Sequence, residues 1–140
     1  MPAIVRSVLL IAALAAAQSE TPDDVVQFLR TTARDLAGAH DSGPRGLPDP
    51  SEFLAHFDSS MPNYAEFRDA IETLIQRAGI GSAIEIVTDE GDPQKRTLEL
   101  DWLLEIQDQQ PRRQILKCTI EKQKKQWKFT SVDPIAFFKY

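Results

Sequence analysis

Three residues in one short stretch carry side chains suited to proton chemistry: His56, Asp58 and Tyr64. Pocket acid–base chemistry needs a carboxylate in largely apolar surroundings, together with a donor for the developing oxyanion. Asp58, flanked by Phe57 and Met61, is the candidate carboxylate, and Tyr64 is the candidate donor. The competing reading is structural. An aspartate before Ser59-Ser60 orders a turn, and a tyrosine at the start of an apolar stripe is a core residue with its hydroxyl at the rim. His56 stands two residues before Asp58, and a His-x-Asp pair can ligate a metal or relay a proton. The second imidazole, His40, falls in a Gly/Pro-rich loop, and no cysteine or carboxylate stands at matching ligand spacing. No metal site and no cofactor are therefore expected.

Other charged groups read more simply. Glu99, Asp101 and Glu105 share one parity in an alternating run, opposite to the apolar residues, which puts them on a solvent-facing side where Lys117 or Lys128 can pair with them across strands. Lys122, Lys124, Lys125 and Lys128 surround Trp127, a combination that imitates a single-strand nucleic-acid platform. A charged hairpin tip accounts for it as well, since such charges discourage edge association. The chain carries a formal net charge of −5, and nucleic-acid binding needs a concentrated basic surface, so no nucleic-acid partner is expected. Cys118 is the single cysteine and cannot form an internal bridge. Its parity matches Leu116 and Ile120, so it reads as a small buried hydrophobe.

The elements that position these groups follow from hydrophobic periodicity. Thr21-Pro22-Asp23-Asp24 carries a capping residue, a proline suited to the first helical position and two carboxylates for the positive end of a helix dipole. Val25, Val26, Phe28, Leu29, Ala33, Leu36 and Ala37 then recur at helical spacing up to Gly38. After a loop over 40–49, Asp49-Pro50 opens a short helix bearing Phe53, Leu54 and Phe57. Asn63 is placed to cap a third helix with the apolar stripe Tyr64, Phe67, Ile71, Leu74, Ile75 and Ala78. From Ser82 the period falls to two. Strands are expected over 83–88, 98–107, 113–122 and 127–132, with turns between them. The tail Ile135-Ala136-Phe137-Phe138 is apolar and must dock. Three N-terminal helices packed on a four-stranded antiparallel meander make an α+β domain.

The 140 residues suffice for one domain with a real core, and the composition, 42% hydrophobic and 26% charged, is that of a globular protein. The first seventeen residues read as an address. Arg6 supplies a positive start, the run to Ala17 is almost wholly apolar, and Ala15-Ala16-Ala17 offers small residues to a signal peptidase. The run is too short to span a hydrocarbon core, which needs roughly 20 apolar residues. The expectation is a signal peptide over 1–17, a domain over 18–140, a secreted or periplasmic location and no stable membrane anchor after cleavage. Loss of Arg6 makes the remainder one unit more acidic than the whole chain's −5.

The order of elements, the bend Phe57-Asp58-Ser59-Ser60-Met61-Pro62-Asn63-Tyr64, the long central strand and the ending Gln126-Trp127-Lys128-Phe129 with Asp133-Pro134-Ile135 and Phe137-Phe138 resemble the nuclear transport factor 2-like superfamily, over roughly Thr21 to Tyr140. The resemblance is closest to small secreted bacterial members of unassigned function. It implies a cone-shaped roll in which a curved sheet wraps around the helices and the open end often forms a pocket. Some members are isomerases, dehydratases or hydrolases, and others only bind ligands or proteins, so fold alone does not decide activity. Phe28, Phe57, Tyr64, Phe67, Trp102 and Trp127 are the candidate walls of such a pocket, which would suit a small apolar ligand. The resemblance also implies a homodimer through the outer face of the sheet, where Leu103 stands. The reading taken is a non-enzymatic domain that binds a small apolar ligand or a protein partner. The alternative is a pocket enzyme that uses Asp58 with Tyr64 or His56.

Overall fold

A computed structural model describes residues 21–140; the leader expected over 1–17 and its cleavage near Ala17 lie outside the described residues. Helix α1 spans Asp23–Gly38, α2 Ser51–Leu54 and α3 Tyr64–Arg77. Strands β1 Ile80–Gly91, β2 Lys95–Ile106, β3 Arg112–Gln123 and β4 Gln126–Asp133 follow. They form one antiparallel sheet in the order β1-β2-β3-β4, the expected meander in an α+β domain. Among the described residues no helix is long and apolar enough to cross a membrane.

The helix starts differ in detail from the sequence expectation. Pro22 precedes α1 rather than opening it: its carbonyl accepts from Val25 and Val26, and Thr21 makes no cap bond. The Asp24 carboxylate takes the Val25 N–H at 3.0 Å. Asn63 does not cap α3 with its side chain. It adopts a left-handed conformation (φ 60°), which asparagine tolerates better than most residues, and so turns the chain into the helix. Pro50, not Asp49, stands at the cap position of α2, and the Asp49 carboxylate one residue earlier orders the turn by accepting from the N–H and hydroxyl of Ser51 at 2.9 and 2.5 Å. At the other end of α3 the His40 ring donates through Nδ1 to the Ile75 carbonyl at 2.7 Å, one of the carbonyls a helix leaves unpaired.

One face of the sheet is covered. Leu98, Leu100, Trp102, Leu104, Leu116, Cys118, Ile120 and Phe129 are buried there, and α1 packs along β1. The tail docks as expected: Ile135–Phe138 forms a 3-10 turn and Phe138 is fully buried. The other face carries the charged residues with the expected parity. Arg113 donates to both Asp101 oxygens, Glu99 lies opposite Lys117, and the Thr88 hydroxyl donates to Glu99 at 2.9 Å. A bulge between Ile86 and Thr88 leaves Val87 without a partner on β2.

The two sheet edges are unlike. At β4, Asp58 N–H donates to the Phe129 carbonyl and Phe129 N–H to the His56 carbonyl, both at 2.8 Å, so the segment after α2 covers the edge. At β1 no comparable segment is bound: among the described residues its backbone bonds run only to β2.

Candidate functional site

The short segment after α2 that bears His56 and Asp58 is anchored on β4, which brings the two side chains to the same end of the fold without joining them. His56 turns toward α1. Its Nε2 lies 2.7 Å from Asp35 Oδ2, and its ring meets Phe28 edge-on with centroids 5.7 Å apart. Asp58 turns toward its own loop and the end of β3. One oxygen accepts from the Ser60 N–H and hydroxyl at 2.8 and 2.7 Å, and the other accepts from the Gln123 amide at 2.7 Å. No hydrogen bond joins His56, Asp58 and Tyr64 to one another among the described residues. Tyr64 is half-buried against the core at the start of α3.

This environment decides what Asp58 can do. The Ser60 backbone N–H, and after it the Gln123 amide, stabilise the ionised form and hold its carboxyl down at about 2. A general base at neutral pH works best with a pKa near that pH, so a carboxylate this well solvated by donors abstracts protons poorly. Its bonding is that of a turn-ordering residue. His56 with Asp35 is the one imidazole–carboxylate pair of the candidate region, and Asp35 lies twenty-one residues before its partner. No local spacing announces such a pair. No group of three or more His, Cys, Asp or Glu side chains is placed to hold a metal ion among the described residues.

The six aromatic positions expected to wall a pocket are occupied with one another and with the core. Phe57 stacks on Phe129 with centroids 4.8 Å apart and meets Phe67 at 4.6 Å. Phe28 meets Phe129 at 5.1 Å. Trp102 is fully buried, in edge contact with Phe53 and Phe138, and its indole N–H donates to Ser82 Oγ at 2.9 Å. Trp127 donates its indole N–H to Asp24 Oδ2 at 2.9 Å, and the Lys122 ammonium reaches that same oxygen at 3.1 Å. The Trp127 and Lys122 donors hold the Asp24 carboxyl below its ordinary value. Lys122, read from sequence as part of a basic hairpin tip, thus ties the β3–β4 hairpin to the start of α1.

Three surface grooves, of about 590, 670 and 400 Å³, lie elsewhere. The first runs between the start of β3 and the tail, where Arg112 donates to the carbonyls of Phe137 and Lys139. The second lies between α3 and Tyr140, with Arg77 over the Tyr140 ring at 5.2 Å. The third follows the start of β1. None of the three is lined by any of the six aromatic positions or by His56 or Asp58. At the β1–β2 hairpin Arg96 pairs with Asp89 at 2.7 Å, and the second Asp89 oxygen is buried without a hydrogen-bond partner among the described residues.

No model of a known protein family matches the chain, and no curated protein matches it.

Proposed function

We infer that this is an exported binding domain of the nuclear transport factor 2-like kind, without catalytic activity, which engages a polypeptide through its surface. One observation carries the reading. The interior space in which a small ligand or substrate would sit is occupied by Phe53, Phe57, Phe67, Trp102 and Phe138, ring against ring. A packed interior offers a ligand no partner surface that the protein does not already use. The bonding of Asp58 supports the same conclusion, since a turn-ordering carboxylate held at about 2 is a poor acid–base group. Self-association through the outer sheet face belongs to the proposal. Ala83 lies opposite Leu103, and Ile115 and Val87 are 44% and 53% exposed.

Native mass spectrometry of the protein purified from its source tests the reading. A co-purifying polypeptide is the expected result. A retained small apolar molecule would overturn it and restore the pocket reading. N-terminal sequencing of the exported protein tests the leader: a chain that begins near Gln18 is expected, and one that still begins at Met1 refutes cleavage.

A further inference from the structure

We propose that the edge of β1 along Gly81–Ile86, which has no backbone partner among the described residues, is a strand-docking site for an extended segment with the pattern basic–apolar–any–apolar–basic. The proposal rests on the polypeptide-binding reading above and names the kind of polypeptide.

Three observations converge on this edge. The first is hydrogen-bonding capacity. β4 has its edge covered by His56–Asp58, whereas among the described residues no backbone group of β1 bonds to anything but β2. An exposed edge presents a row of N–H and C=O groups that an added strand satisfies.

The second is charge. On the outer face Glu85 lies directly opposite Asp101, and such like-charge pairs are unfavourable unless something neutralises them. Arg113 gives its hydrogen bonds to Asp101 and reaches Glu85 only through space, so one cation serves two carboxylates. Glu85 and Glu105 are both exposed and make no ion pair within 4.0 Å among the described residues. Glu105 lies opposite Gly81, and its side chain runs beside the position a Cβ would take there, 3.3 Å away. Because Gly81 has no side chain, the Glu105 chain lies alongside the backbone of the edge strand. Two carboxylates therefore flank the outer face at positions 81 and 85 of the edge, four residues apart. A partner strand would place cations at its own first and fifth positions.

The third is the inner face. Ile84 and Ile86 pack against the core on the side where α1 runs along β1, yet both stay partly exposed, so some apolar surface remains open beside the edge. Residues of the docked strand that alternate with its cations would cover this surface, since successive side chains point to opposite faces. A second copy of this chain fits poorly through β1, because pairing two copies of the edge brings Glu85 and Glu105 of each toward those of the other. The bulge after Ile86 ends the regular stretch, so the docked segment is short.

The test uses the chain, isotope-labelled, and a capped hexapeptide, Lys-Val-Thr-Val-Lys-Val, followed by amide chemical shifts. Its controls are the same peptide with Glu for Lys and the lysine peptide N-methylated at alternate residues. The expected result is shifts concentrated at Gly81–Ile86, no binding by either control, and affinity weakened at least tenfold in Glu85→Lys and Glu105→Lys. Glu85→Gln, which keeps the side-chain shape, should show an intermediate loss. Absence of shifts at millimolar peptide, equal binding by the N-methylated peptide, or shifts centred on any other surface overturns the proposal. If the hexapeptide fails while a polypeptide co-purifies with the native protein, only the edge assignment falls. A retained small apolar molecule overturns both.

Discussion

The His56 imidazole and the Asp35 carboxylate meet at 2.7 Å and join the segment after α2 to the last turns of α1. Both side chains are largely shielded, with 20% and 15% of their surface exposed. The pair therefore acts as a clasp between two elements whose own contacts are few. A partly buried hydrogen bond to a charged group contributes about 1.5–3 kcal/mol, and removing one partner leaves the other unsatisfied. Asp35→Ala and His56→Ala should each lower unfolding stability by about 1–3 kcal/mol. The double variant should lose less than the sum, which denaturant titration of the four proteins in a mutant cycle will read.

Asp58 gives a pH signature. Its carboxyl is held at about 2 in the fold against 3.8 ordinarily, so the folded state favours the ionised form. Stability from this group is fully present above about pH 5 and is lost as pH falls through 4 toward 2. Asp58→Asn should be less stable than the parent at neutral pH by at most about 1 kcal/mol, because solvent screens the group. The difference between the two proteins should close as pH approaches 2. Urea midpoints measured at several pH values will show it, and a gap that persists at pH 2 would assign the loss to packing instead.

The faces of this fold were legible because a strand of period two leaves few choices. Once Leu98, Leu100, Trp102 and Leu104 face inward, Glu99, Asp101 and Glu105 must face out, and the register places Arg113 beside Asp101. Helix ends were less legible. Asn63 was expected to cap by its side chain and instead supplies a left-handed backbone, a choice made by the direction from which the chain enters α3. The partners of the candidate site were not legible at all. Asp35 with His56, Gln123 with Asp58, and Asp24 with Trp127 are separated by 21, 65 and 103 residues, and no local pattern encodes those meetings. Whether the aromatic residues line a space or fill it depends on Phe53 and Phe138 reaching Trp102, which is likewise a tertiary outcome.

Cys118 faces the core and is 1% exposed, and burial pushes its thiol up to about 12. The thiolate is the reactive species, so the folded protein should be inert to thiol reagents at pH 8. Ellman's reagent should label no thiol in the native state and one equivalent in denaturant. Rapid native labelling would show that the strand opens locally.

The packed interior makes its own prediction. Phe67 is fully buried and touches Phe53, Phe57 and Phe138. Phe67→Ala should cost about 3–5 kcal/mol, since the removed ring leaves a cavity that its neighbours only partly close. An apolar cavity of that kind stays dry and accepts small aromatics. Benzene or indole should therefore raise the melting temperature of Phe67→Ala and leave the parent unchanged. Stabilisation of the parent by the same compounds would mean that it already holds an interior space, and the polypeptide reading would fall.

Self-association through the sheet concerns a face, not an edge, and the two can be separated. Leu103 lies between Ala83 on β1 and Arg113 on β3, at the centre of the outer face, with Ile115 44% exposed nearby. Covering these residues with a second copy would remove apolar surface from water at about 25 cal/mol per Å², and the Asp101–Arg113 pair at its side would set the register. Placing a carboxylate at the centre, in Leu103→Asp, should desolvate an unpaired charge in the assembly while leaving the monomer folded. Sedimentation velocity should show the parent as a dimer at high concentration and Leu103→Asp as a monomer. A parent that stays monomeric at high concentration removes the face from consideration and leaves the β1 edge as the surface to pursue.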